Sequence, residues 1–414
     1  MTTKEVTVVI AIGGKGSRLK KITGDTPKPL FPICGISTIE RILTELDNYG
    51  FKKVILSTCF RKELFKEFFK KNTFHFDDLI LFEEIVPLGE CGSLWQIRDQ
   101  LNSKTLFING DLIFSMDFTK LFEYHENLGS EITLVTHPSS HPEDSDMISA
   151  PNGSYVEKLF HKDREFKKDK FKPLLGFAGI SLFNSSIIDE FKPLNNRTKE
   201  SLFGFLIKNA FENKKRIFSY NTSEYIKDMG TEKRYLEVSE AISTNLLNKK
   251  NYKNSQKALF LDRDNTLIKC DPKSYILSLD DIKFLNINIR KLANLSKKFS
   301  IICIVTNQPQ IAMNKLSLKD LEDINNHIIH YCRKKSLFID TVSWCPHHPH
   351  KGYESENEIL KKDCFCRKPK PGMLFELAYE KNIDLNTSLF IGDSITDEQA
   401  AKAAGCDFIN VSDL

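Results

Sequence analysis

Two groups of residues, one near each end of the chain, have types and spacings suited to phosphate chemistry. The first is Gly13-Gly14-Lys15-Gly16-Ser17-Arg18-Leu19, followed by Pro27-Lys28-Pro29-Leu30. A glycine-rich turn after a strand lets backbone N–H groups approach phosphate oxygens, and a following helix N-terminus favours the negative charge. The glycines alone fit a plain tight turn equally well; Arg18 within the turn and Lys28 after it point to phosphate. The run is not a Walker A loop, since no Gly-Lys-Ser/Thr stands at the required spacing. It is not the dinucleotide fingerprint either, since the third glycine is missing.

The second group begins at Asp262-Arg263-Asp264-Asn265-Thr266-Leu267 and continues through Thr306-Asn307, Lys368 and Gly392-Asp393. Asp-x-Asp at a strand end sets two carboxylates on one short loop. Asp262 is expected to attack phosphorus, forming a phosphoaspartate, and Asp264 to act as general acid and base. Thr306 and Asn307 are expected to hydrogen-bond the transferring phosphoryl group and Lys368 to neutralise it. Asp393 is expected to complete a Mg²⁺ shell with Asp262 and Asp264. Beside these lie Cys345-x-His347 and Cys364-x-Cys366, three thiolates and one imidazole, the set for a closed, structural zinc site. An ordinary reduced cysteine cluster is the alternative, and His348 and His350 are rival ligands that spacing disfavours. Arg367-Lys368-Pro369 follows directly and ties this loop to the lysine.

The elements that must carry these residues alternate in type. Val6–Ala11 reads as a buried strand, Thr38–Asn48 as a helix, Lys53–Ser57 as a second strand, and Thr105–Ile108 as a strand delivering Asn109-Gly110-Asp111. Later, Ala258–Leu261, Ile301–Val305 and Ser388–Ile391 read as strands, each ending in polar residues. Strands alternating with helices predict largely parallel sheets covered on both faces, with ligands beyond the strands' carboxyl ends. His161–Lys172 is dense in charge and reads as an exposed loop. Asn245–Lys257 is rich in Asn and Lys, and the expected organisation is a domain over 1–244, a linker over 245–256 and a domain over 257–414.

Composition agrees. A chain of 414 residues exceeds the usual size of one domain, and 41% apolar residues suffice for separate cores. Lys and Arg number 59 against 55 acidic residues, a formal net charge of +4, which suits small anions and is too even to indicate nucleic acid. Ten cysteines, scattered apart from the 345–366 group, argue against a disulfide framework. No run reaches the apolar length of a membrane span, and Val6–Ile12 is too short for a signal peptide. The expectation is a soluble protein of the reducing cytoplasm without nucleic-acid or membrane partners; oligomeric state is not legible.

The N-terminal residues resemble the sugar-1-phosphate nucleotidyltransferase family, over roughly residues 5–240. Gly13–Leu19 is similar to its glycine-rich signature and Pro27–Leu30 to its lysine motif. Pro87-Leu88-Gly89-Glu90-Cys91-Gly92-Ser93-Leu94 is similar to its base-binding loop, although Glu90 and Cys91 stand where the family more often has Thr and Ala. Asn109-Gly110-Asp111 and Asp228-Met229-Gly230-Thr231 look like its metal-binding aspartates, and Gly176–Ile180 like the segment closing over the sugar. The resemblance implies in-line attack of a sugar-1-phosphate on the α-phosphorus of a nucleoside triphosphate. Gly13, Gly14, Gly16, Ser17, Gly89 and Gly92 would bind nucleotide. Arg18 would hold the departing phosphates, Lys28 would offset repulsion between the anions, and Asp111 and Asp228 would hold Mg²⁺. Lys162 matches the family's sugar-phosphate lysine, with a solvated loop lysine as the equal reading.

Residues from about 257 to 414 resemble the haloacid dehalogenase superfamily of phosphatases. The zinc motif narrows this to the branch that includes D-glycero-D-manno-heptose-1,7-bisphosphate 7-phosphatase and histidinol phosphatase. Asn265 stands where that branch usually has Gly, Pro309-Gln310 replaces its Ser-Gly, Met313-Asn314 an Arg-Gly pair, and Ser394 a frequent Lys. Together the resemblances imply two Rossmann-like α/β domains: a nucleotidyltransferase with a mixed, largely parallel sheet, and a phosphatase with a parallel sheet and a zinc loop. Fusion selects the heptose substrate, because a heptose 1-phosphate released by one half can be activated by the other, with GTP as the expected donor giving GDP-heptose. The alternatives are another hexose 1-phosphate (mannose or glucose) with CTP, UTP or dTTP, or one half serving as a catalytically silent module.

Overall fold

The computed structural model describes residues 1–14, 19–84, 87–139, 144–150, 154–162, 175–192, 199–271, 274–350 and 355–414. The chain forms two compact units, one built from residues up to Asn251 and the other chiefly from Tyr252–Leu414. Among the described residues no helix is long and apolar enough to cross a membrane.

In the first unit Val6–Ala11 is a central strand because Val6, Val8, Val9 and Ile10 face cores on both sides of the sheet, each no more than 1% exposed. It pairs in parallel with Lys53–Thr58 and Lys104–Asn109, and Asp78–Glu83 extends the parallel set. Leu175–Asn184 then joins Lys104–Asn109 antiparallel, making the sheet mixed. Thr38–Asn48 is a helix as its pattern predicts: Ser37 caps it by accepting from Glu40 N, and Ile39, Ile42, Leu43 and Leu46 line its buried face. A separate ribbon pairs Leu112–Ser115 with Tyr225–Asp228 in a register that sets Asp228 opposite Leu112. Asp111 and Asp228, far apart in sequence, thereby become neighbours.

The second unit carries a five-stranded parallel sheet in the order Thr341–Cys345, Ile301–Asn307, Ala258–Leu261, Leu389–Gly392, Asp407–Asn410. Ala258–Leu261 is the first strand in sequence and the middle one in space, so connections leave it in opposite directions. Such a switch point opens a crevice at the strands' carboxyl ends. The three central strands release Asp262, Thr306-Asn307 and Asp393 into that crevice.

The segment 245–256 is more ordered than a plain linker. Leu246–Lys250 is a short helix, Asn251 is buried and donates to Ser115 Oγ at 2.9 Å, and Tyr252 packs in the second unit's core. The charged stretch 163–172 lies outside the described residues.

Candidate active sites

At the N-terminal site the strand Val6–Ala11 ends in Ile12-Gly13-Gly14, which line a cavity of about 420 Å³ with Lys28, Glu84, Gly89, Asn109 and Asp111. A second cavity of about 850 Å³ is lined by His161, Lys162, Asp228 and Arg234 among others. The two share Glu90, Asn109, Asp111 and Lys199. Two adjoining cavities with a common acidic wall suit two anionic substrates that must meet end to end. Gly16, Ser17 and Arg18 lie outside the described residues.

Lys28 starts a short turn between two prolines that fix its backbone. Its Nζ lies 3.6 Å from Asp111 Oδ2, with the lysine side chain only 11% exposed. Burial raises the Asp111 carboxyl above the ordinary range, and the nearby Lys28 pulls it part of the way back. Asp228 is gripped by Arg234, whose Nη1 donates to both carboxylate oxygens at 2.9 and 3.0 Å. Arg234 escaped the sequence reading because it stands on the helix Glu232–Ser243, where a cation resembles a surface charge. Gly89 has φ of +74°, and a Cβ there would lie 2.6 Å from the Glu200 carbonyl oxygen, so the loop closes tightly only with glycine. Gly92 does not line the cavity; it is buried in the helix Gly89–Ile97 against Leu88. Lys162 does line the larger cavity, its backbone N–H donating to Asp146 Oδ1 at 3.1 Å.

Two carboxylates unforeseen from sequence face these cavities. Glu84 follows the strand Asp78–Glu83; its oxygens accept from Ser57 Oγ at 2.7 Å and Leu88 N at 3.0 Å. A carboxylate at the end of a parallel strand was the available signal. Glu90 is pushed up by burial and accepts from Leu202 N at 2.7 Å.

At the C-terminal site Lys368 is the hub. Its buried ammonium lies 2.6 Å from both Asp262 Oδ1 and Asp397 Oδ1, and it donates to the Val305 carbonyl at 2.9 Å. Burial pushes the Asp262 carboxyl up to about 7 even though Lys368 opposes this. For Lys368 burial alone would favour loss of the proton, but the two carboxylates outweigh it and hold the ammonium charged. Asn307 clips the lysine's backbone, donating to Lys368 O at 3.0 Å and accepting from Lys368 N at 3.1 Å. Thr306 Oγ1 accepts from Gln308 Nε2 at 2.9 Å.

The metal carboxylates differ from the expected set. Asp262, Asp393 and Asp397 bring one oxygen each within 4.8 Å of one another; Asp264 is not among them. Arg263 is fully buried and requires a counter-ion, so its Nε and Nη2 take both Asp264 oxygens at 3.0 and 3.1 Å. Asp397 takes the third place from the first turn of the helix Ile395–Ala404, where it also bonds Ser394 Oγ at 2.7 Å in a capping box. In sequence it looked like a capping acid. Three carboxylates against one ammonium leave a formal charge of −2, which one divalent cation would neutralise; hard carboxylate oxygens suit such an ion.

Beside this crevice Cys345, His347, Cys364 and Cys366 gather their donor atoms. The sulfur–sulfur separations are 3.2–3.5 Å and His347 Nδ1 lies 3.3 and 3.6 Å from two of the sulfurs. Thiolates about 2.3 Å from a tetrahedral ion would be roughly 3.8 Å apart, so the four donors nearly outline that polyhedron. Burial raises the Cys345 and Cys366 thiols and lowers the His347 imidazole; the last change favours the neutral ligand form. His348 turns aside, its Nδ1 accepting from His350 N at 3.2 Å.

Comparison with known proteins divides the chain at the same place. Residues 7–245 match the family described as nucleotidyl transferase, and residues 257–413 that described as polynucleotide kinase 3 phosphatase. Over 149 residues the chain is 36% identical to the D-glycero-beta-D-manno-heptose-1,7-bisphosphate 7-phosphatase of Pasteurella multocida, covering 36% of this chain and 77% of that protein. Over 241 residues it is 24% identical to a mannose-1-phosphate guanylyltransferase of Mycobacterium tuberculosis, covering 58% of this chain and 65% of that protein. A crystal structure of HddC from Yersinia pseudotuberculosis complexed with GMP-PN matches at 22% identity and a TM-score of 0.47, covering 57% of this chain and 99% of that one, too distant to inform the chemistry. The chain therefore unites two enzymes: its first part belongs to the nucleotidyl transferase family, and its second to the phosphatase family of the D-glycero-beta-D-manno-heptose-1,7-bisphosphate 7-phosphatases.

Proposed function

We propose that the C-terminal unit removes the 7-phosphate of D-glycero-D-manno-heptose 1,7-bisphosphate and that the N-terminal unit then transfers GMP from GTP to the heptose 1-phosphate. The products are inorganic phosphate, GDP-heptose and pyrophosphate. The observation that carries this reading is the buried Asp262–Lys368–Asp397 triad at the switch point of a chain part similar to 7-phosphatases. The second half of the reading follows from chemistry, since the anomeric phosphate spared by one site is the nucleophile required by the other.

In the phosphatase, an Asp262 oxygen attacks phosphorus and the P–O bond to the sugar breaks. Asp264 protonates the departing sugar oxygen, then takes a proton from the water that hydrolyses the phosphoaspartate. Arg263 holds Asp264 over the loop, while Lys368 keeps charge balanced around Asp262. Asp262, Asp393 and Asp397 would hold Mg²⁺, which when bound neutralises charge on the transferring phosphoryl group. We assign zinc to Cys345, His347, Cys364 and Cys366, as a structural brace.

In the nucleotidyltransferase, Lys28 sits where the attacking phosphate meets the α-phosphate, and Asp111 and Asp228 would hold the Mg²⁺ that accompanies the triphosphate. GTP is favoured by Glu84. Guanine alone among the bases presents two adjacent donors on its pairing edge, and a carboxylate can accept both. Each Glu84 oxygen accepts one protein hydrogen bond and retains a lone pair for the base. This reading places both reactions in the reducing cytoplasm, where GTP is supplied and thiolate ligands persist.

Phosphorus NMR of the bisphosphate with GTP and Mg²⁺ tests the sequence of events. Wild type should lose the 7-phosphate and then form pyrophosphate, and Asp262→Asn should abolish the first step while still activating heptose 1-phosphate. A wild-type chain that leaves the bisphosphate intact rules out this substrate.

A further inference from the structure

Asn265 occupies a backbone position suited to glycine and uses its side chain at both ends. Its φ of +57° lies in the left-handed region, which asparagine tolerates better than most residues but not as freely as glycine. Its own N–H donates to Ile268 O at 2.6 Å, closing the loop that carries Asp262 and Asp264. Its Oδ1 accepts from Cys270 N at 2.9 Å. The other end of the amide hydrogen-bonds to the Asp393 carboxyl. The Cys270 bond leaves the amide one sensible orientation: flipped, it would set NH₂ against an N–H and oxygen against a carboxylate. The three metal carboxylates are thus held from different sides. Lys368 grips Asp262 and Asp397 at 2.6 Å each, and Asn265 reaches Asp393, the most open of the three.

We infer that Asn265 is a positioning residue of the phosphatase centre, its amide, anchored on Cys270 N–H, aiming the Asp393 carboxylate at the divalent cation. This rests on reading Asp262, Asp393 and Asp397 as that cation's ligands. The departure from glycine in this loop then adds a function that glycine has no side chain to perform. Partners of metal-ligating groups typically change metal affinity or activity 10–100-fold when removed.

The test is Asn265→Gly in the full-length chain, a change that leaves the left-handed backbone unstrained. Mn²⁺ binding is followed by electron paramagnetic resonance in an Asp111→Asn background, which silences the N-terminal site. The Mg²⁺ concentration for half-maximal phosphate release is measured alongside, and retention of the Cys345-site metal with an unchanged melting temperature shows that the unit is folded. The expected result is Mn²⁺ affinity about 10–100-fold weaker and a matching rise in the Mg²⁺ requirement. A purely structural role would lower phosphate release without moving either metal constant, and that result overturns the inference. So does equal affinity in the two chains. A wild-type chain that takes up no Mn²⁺ in this background overturns the metal centre itself and the inference with it.

Discussion

Replacing Lys368 by Met should disable the phosphatase while leaving nucleotidyl transfer intact. The methionine roughly fills the aliphatic space but leaves Asp262 and Asp397, each 2.6 Å from the lost ammonium, without their counter-charge. Asp262 already stands at about 7 with the lysine present, so it has no margin. Losing an adjacent opposite charge raises a carboxyl by roughly 1–3 units. At pH 7 even the smallest of these cuts its ionised, nucleophilic fraction about fivefold. Loss of a cation facing the transferring phosphoryl group costs a further 10²-fold at least, roughly. Phosphate release should therefore fall by about 500-fold or more. Breaking a buried pair costs about 3–5 kcal/mol, so the C-terminal unit should melt on the order of 10 °C lower. The assay is phosphate release from heptose 1,7-bisphosphate well below that melting point, with pyrophosphate formation from heptose 1-phosphate and GTP on the same preparation as internal control. A folded Lys368→Met chain releasing phosphate within tenfold of wild type refutes the reasoning.

Three further outcomes are expected. Glu84→Gln exchanges one acceptor for a donor facing guanine, and kcat/KM for GTP should drop about 10–100-fold relative to UTP, from a loss of about 1.5–3 kcal/mol; an unchanged donor preference in steady-state kinetics would remove Glu84 from base recognition. Elemental analysis should find one zinc per chain held by the Cys345 cluster, and Cys364→Ser should lose it and lower the melting of the C-terminal unit; full zinc in that variant contradicts the assignment. His125 is buried, and burial beside Lys104 holds its imidazole down at about 4 against an ordinary 6.5. The unfolded chain therefore binds a proton that the folded one refuses: the stability is intact above pH 6.5 and is lost as pH falls toward 4. Between pH 7.5 and 4.5 this should cost the N-terminal unit on the order of 2–3 kcal/mol, and His125→Gln should flatten that part of the profile in denaturant titrations.

Much of both sites is legible along the chain because parallel α/β sheets place ligands where strands end. Val6–Ala11, Lys104–Asn109, Ala258–Leu261 and Leu389–Gly392 are marked by unbroken apolar runs, and the residues after each run, Gly13, Asp111, Asp262 and Asp393, are predicted site residues for that reason. The motif Cys345-x-His347 with Cys364-x-Cys366 is equally readable, since thiolate spacing is itself the chemistry. What the sequence does not decide is which side chains meet. Asp264 is two residues from the nucleophile yet turns to Arg263, because a fully buried guanidinium must be neutralised by the nearest carboxylate. Asp397, disguised as a helix cap, takes the place beside Lys368. Glu84 and Arg234 reach their cavities, and His347 rather than His348 joins the thiols, through packing between segments distant in sequence. Periodicity places residues at the ends of elements; the requirement that every buried charge find a partner, met only in three dimensions, selects among them.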